Sequence, residues 1–133
     1  MTGMFRRRLL LAVGLFAWMV SVGVSAQGPD MRGLMRAKLV RSQNLLRALV
    51  TSDWPELESG SRELLKLTDD PRWTPLRYPE YGRYAEAFRM AVNDLHTAAA
   101  ARDQDKAPQA YAAVTLQCVA CHRYLARSRV AAR

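Results

Sequence analysis

Cys118-Val119-Ala120-Cys121-His122 sits near the end of the chain, in a segment where Tyr111, Val114, Cys118, Cys121, His122 and Leu125 recur at spacings of three and four. That period predicts a helix with these side chains on one face. Positions i, i+3 and i+4 are neighbours on a helix surface, so Cys118, Cys121 and His122 all point toward one object. A Cys-x-x-Cys-His run is the sequence pattern of covalent c-type haem attachment: two thiols bond the porphyrin and the histidine takes the iron. Cys118 and Cys121 are therefore the expected thioether residues of one haem c, and His122 the proximal iron ligand.

Other uses of a Cys-x-x-Cys pair fit less well. A thioredoxin-like redox motif is expected near a βαβ pattern, and no strand-like run occurs here. A structural zinc site needs four ligands, and His96 is the one further candidate of that type. A disulfide between i and i+3 of a regular helix closes no loop.

Working outward, the remaining sequence reads as three more amphipathic helices. Asp30 is placed to cap the first, where Met31, Met35, Leu39, Ser42, Leu46 and Leu49 form the expected buried stripe. Thr51 to Pro55 interrupts it. Asp53 followed by Glu56 resembles a capping box, with Pro55 in the first turn of the second helix. That helix has Trp54, Leu57, Ser61, Leu64, Leu65 and Thr68 on its stripe. Gly60 in its middle costs about 1 kcal/mol against Ala, which close approach of another helix or of the haem would offset. From Thr68 to Tyr81 a long connection carries Pro71, Pro75 and Pro79 among Trp73, Leu76 and Tyr78. The third helix runs from about Glu80 to Arg102 with Tyr81, Ala85, Phe88, Val92, Leu95 and Ala99 on one face. Asp103 to Pro108 is a short polar turn into the last helix.

Short, long and short connections between four amphipathic helices specify an all-α, antiparallel four-helix bundle, with the cofactor among facing helices. Met1 to Arg8 is basic through Arg6, Arg7 and Arg8, and the apolar run Leu9 to Val24 ends in Val24-Ser25-Ala26. This reads as a cleaved secretory signal peptide over residues 1–26, followed by one domain over 27–133 and a periplasmic location. The apolar run is shorter than the roughly 20 residues of a spanning helix. The whole chain has 20 basic and 12 acidic side chains, and the leader carries three of the former and none of the latter. The mature domain is thus less basic than the full chain, and nucleic-acid binding is not expected. Arg123, Arg127, Arg129 and Arg133 crowd the last segment. They suit a helix C-terminus, and alternatively a docking patch for an acidic partner.

In motif placement, helix order and the first-helix segment Leu34-Met35-Arg36-Ala37-Lys38-Leu39, the mature chain resembles the cytochrome c prime family. Members of that family are four-helix bundles with Cys-x-x-Cys-His on the last helix. The resemblance implies that a first-helix residue covers the distal face of the haem, as an apolar side chain in high-spin members or a ligating methionine in low-spin ones. Met35 takes that position here, with Met31 and Leu39 one turn to either side. A thioether is a credible axial ligand that raises the haem potential. With Met35 on the iron, the expected function is electron transfer between redox partner proteins. With Met35 only covering it, a five-coordinate module for nitric oxide or carbon monoxide is the alternative. An enzyme is not expected: a distal acid or base would be needed, and the first-helix stripe offers only apolar groups, Ser42 and Lys38. Family members often pair through their first two helices, and the residues here leave a homodimer open. The chain departs from the family where Tyr124 follows His122 by two residues rather than three, which leaves Arg123 and Arg127 both open as the basic residue near the histidine. His96 reads as a surface or interhelix residue, and Met90 lies off its helix stripe.

Overall fold

The computed structural model describes residues 31–71 and 80–131, with side chains through Ser128. The predicted signal peptide, the Asp30 cap, most of the proline-rich connection and the side chains of Arg129 and Arg133 lie outside the described residues. What is described is all-helical, without a strand. Helix α1 spans Met31–Val50, α2 Trp54–Lys66, α3 Tyr81–Ala100 and α4 Lys106–Ala131, and a 3-10 turn, Leu67–Asp69, extends α2. Each helix packs on the next, α3 and α4 most extensively, whereas α1 and α4 touch sparingly. No helix among the described residues is long and apolar enough to cross a membrane.

Two of the connections are built alike. After α1, Ser52 N–H donates to the Leu49 carbonyl at 3.2 Å and Asp53 N–H to the Ala48 carbonyl at 2.8 Å. After α3, Arg102 N–H donates to Ala99 at 3.0 Å and Asp103 N–H to Ala98 at 2.9 Å. Both are Schellman closures, which need a left-handed residue just past the helix. Ser52 (φ 54°) and Arg102 (φ 51°) take that conformation without being glycine. The next residue is in each case an aspartate that starts the following helix. Asp53 accepts from Glu56 N–H at 3.2 Å, and Asp103 accepts from Lys106 N–H at 2.9 Å and Asp105 N–H at 3.1 Å. These amides, Lys106 first, hold the Asp103 carboxyl below its ordinary range. Orphan donors at a helix start thus find partners within the corner itself.

The core runs along the inner faces of all four helices through Leu45, Leu57, Leu64, Phe88, Val92, Leu95, Ala98, Ala107 and Val114. For α2 and α3 this matches the expected stripes. Gly60 is buried against α1: a Cβ built there would lie 2.9 Å from Leu45 Cδ2. The mid-helix glycine therefore permits the close approach of α1 and α2. Arg41 of α1 closes the same seam by pairing with Glu63 and reaching Glu56 at 4.0 Å.

For α1 the expected stripe needs correction. The buried residues are Leu34, Lys38, Leu45 and Ala48, while Leu39 is 58 % and Leu46 46 % exposed. Met31, Met35, Ser42 and Leu49 are half-buried at one edge of the true face. Leucines occur around most of this helix, so apolar identity alone selects the wrong rotation by about one residue. The face is fixed instead by Gly60, which admits Leu45.

Candidate functional site

Cys118 and Cys121 lie on α4 in the stretch beyond Val114, its last fully buried residue among the described ones. Both thiols are half-buried and form no disulfide. His122 is exposed, which corrects the expectation that the whole motif faces the core; the two cysteines turn inward and the histidine sits at the rim. On a helix this follows from the 100° step between Cys121 and His122.

Several contacts fix α4 around the motif. About two turns before Cys118, Tyr111 Oη donates to the Ser42 carbonyl of α1 at 3.0 Å. Just after it, the ring of Tyr124 stacks near that of Tyr84 of α3, with centroids 5.1 Å apart, and its hydroxyl accepts from Glu80 N–H at 3.3 Å. The aromatic residue two after the histidine therefore ties α4 to the start of α3.

Opposite the cysteines, α1 presents Lys38, which is 7 % exposed. Its Nζ lies 5.0 Å from the centroid of the Phe88 ring, a cation–π arrangement. Burial lowers the amine to about 7, and the fields of Cys118, Cys121 and Asp70 work against that shift. The thiols respond in kind. Burial raises both, and the Lys38 charge partly offsets the rise in each. The two thiols are thus held protonated at neutral pH, facing a buried amine.

Tyr81 completes this end of the bundle. It is 3 % exposed, and its hydroxyl has no hydrogen-bond partner among the described residues. Burial first, and the Cys121 thiol second, push its phenol upward. A buried hydroxyl without a partner is costly, by about 1–3 kcal/mol.

The other expected site residue, Met35, is half-buried on α1, three positions before Lys38. Both therefore share one helix face. His96 proves to be an interhelix residue, with Nδ1 3.2 Å from both Ser61 Oγ and the Glu58 carbonyl oxygen of α2. Arg123 and Arg127 are exposed, and so is Met90. Among the described residues no group of three or more His, Cys, Asp or Glu side chains could hold a metal ion. A shallow hollow of about 280 Å³, lined by Leu49, Val50, Ser52, Trp54, Gln104 and Pro108, lies at the corners and away from the cysteines.

Lys38 is the residue that the sequence reading undervalued. It belongs to the series 34, 38, 41, 45, 48, and a signal existed in that spacing from Leu34 to Leu45 and Ala48. A lysine in such a series reads as solvated because lysines are seldom buried. Comparison of the chain with protein families, with curated proteins and with solved structures finds no match.

Proposed function

We propose that this protein is an exported, periplasmic electron carrier similar to the cytochrome c prime family, an antiparallel four-helix bundle with one haem c. Cys118 and Cys121 carry the thioether links, His122 binds the iron from α4, and Met35 binds it from α1. The observation that carries this reading is the Cys-x-x-Cys-His run on α4, with two half-buried free thiols on its inner side.

The residues present fit such a group. The thiols are neutral and adjacent, the α1–α4 contact is sparse, and the buried Tyr81 hydroxyl at the same end has no partner among the described residues. His122 is exposed at the rim, and its ring would offer one nitrogen to iron and the other to a tuning hydrogen bond. Haem supplies a one-electron ferric/ferrous couple when bound. The chain's part would be to bind and enclose the group and to offer His122 and Met35 to the iron, so that electron exchange requires little rearrangement.

A denaturing gel stained for haem tests attachment. The full chain made with the attachment machinery retains the stain, and Cys118→Ala with Cys121→Ala abolishes it. A wild-type chain without covalent haem overturns the reading. Optical spectra then test ligation: a methionine-to-iron charge-transfer band lost in Met35→Ala supports the carrier. A high-spin spectrum insensitive to that change, with carbon monoxide binding to the ferrous form, favours the gas-binding alternative.

A further inference from the structure

The face of α1 that looks toward Cys118 and Cys121 carries a charged side chain at its centre. Lys38 is more than nine-tenths buried, lies over the Phe88 ring and is near enough to Cys118 and Cys121 for its charge to bear on both. Two contacts favour the ammonium form there: the π face of Phe88, and the field of Asp70.

Burying an amine this way carries a desolvation cost that an apolar residue would avoid. Leu34 and Leu45, the other large side chains buried on this face, are apolar, so Lys38 is the one buried cation among the described residues of α1.

We propose that Lys38 sets the charge environment of the haem site, its buried ammonium favouring the ferrous over the ferric state and so raising the reduction potential. This rests on the covalent-haem reading above. Oxidation adds one positive charge to the iron centre. Below pH 7, where the amine carries its proton, a cation in the interior opposes that addition, because charges separated by protein rather than water are weakly screened. Cofactor potentials respond to local net charge and burial in this sense. Met35, one turn away, would fill the axial position, and Lys38 would tune the same iron without touching it.

The test is a redox titration of the haem-loaded protein below pH 7, where the amine is charged, followed optically, in wild type, Lys38→Met, Lys38→Gln and Lys38→Arg. Stained covalent haem in the wild type is checked first, and its loss removes the underlying reading independently of Lys38. The expected result is a lower potential in both neutral variants, by at least a tenfold shift in the ferrous-to-ferric ratio, or about 59 mV. Their axial-ligand spectrum stays that of wild type, and Lys38→Arg restores most of the shift. An unchanged potential in Lys38→Met and Lys38→Gln overturns the proposal. A changed ferric ligand spectrum in those variants also overturns it, since Lys38 would then be an iron ligand rather than a distant charge.

Discussion

The two ends of the bundle solve opposite problems. At the corner end, Ala48, Leu57, Ala98, Ala99 and Ala107 are buried within two self-closing turns, and each aspartate finds its partners within the corner. At the cysteine end, a lysine amine, a tyrosine hydroxyl and two thiols are turned inward. The first is an interior that stabilises itself by apolar burial. The second holds polar and nucleophilic groups that contribute to stability only when something chemically complementary is among them. Apolar packing and reactive groups are thus separated along the helix axes, with the corners fixing the geometry of the cysteine end.

Changes at the corner end should carry the larger cost. Leu45 is fully buried and sits in the notch left by Gly60. Leu45→Ala is expected to lose about 3 kcal/mol, measured by urea unfolding, because the notch leaves a cavity that α1 and α2 close only in part. A loss below about 1 kcal/mol would mean that the two helices collapse freely, and that Gly60 does not fix their approach.

At the cysteine end the sign reverses. In the cofactor-free chain, Lys38→Met is expected to gain on the order of 2 kcal/mol below pH 7, where the buried amine is charged. The folded amine lies at about 7 against an ordinary value of 10.5. Between those values the unfolded chain binds a proton that the folded chain does not, so wild-type stability from this group rises with pH. The advantage of Lys38→Met therefore shrinks across that window and levels off above it. Urea midpoints of both chains at several pH values give the difference directly, with the thiol titrations common to both. A pH-independent difference would place the amine in solvent and erase the contrast between the ends.

Much of this division was legible in the sequence. Periodicity located all four helices, and Asp53 with Pro55 marked the start of α2 because capping and proline chemistry act within one turn. Gly60 signalled a close approach for the same local reason. The rotation of α1 was not legible. Leu34, Leu39, Leu45, Leu46 and Leu49 surround that helix, and only the partner surface decides which of them are buried. The Cys-x-x-Cys-His run was legible as a candidate site, since its spacing on one helix is local. Lys38 opposite it was not, because its burial depends on a contact between helices distant in sequence.

The caps offer a finer test of how independent the corners are. Asp53→Ala removes the acceptor for Glu56 N–H and is expected to cost about 1 kcal/mol. Because Asp53 N–H still closes on the Ala48 carbonyl, the end of α1 should stay ordered. Hydrogen exchange should therefore speed up in the first turn of α2 alone. Fast exchange extending into the last turn of α1 would mean that the corner opens as one unit.

The smallest effect is expected at the left-handed position itself. A non-glycine residue there carries a penalty of about 1–2 kcal/mol, while glycine adds roughly 0.5–1 kcal/mol of backbone entropy to the unfolded chain. Ser52→Gly should therefore gain about 0.5 kcal/mol, read as a rise in the unfolding midpoint. Arg102→Gly tests the matching turn. The two turns share no hydrogen bond, but Ser52 and Gln104 line one hollow together with Leu49, Val50, Trp54 and Pro108. If the double variant gains the sum of the single changes, each corner is closed by its own backbone. A smaller gain would mean that the apolar hollow already couples the turns, and that the corner end behaves as one structural unit facing the cysteine end.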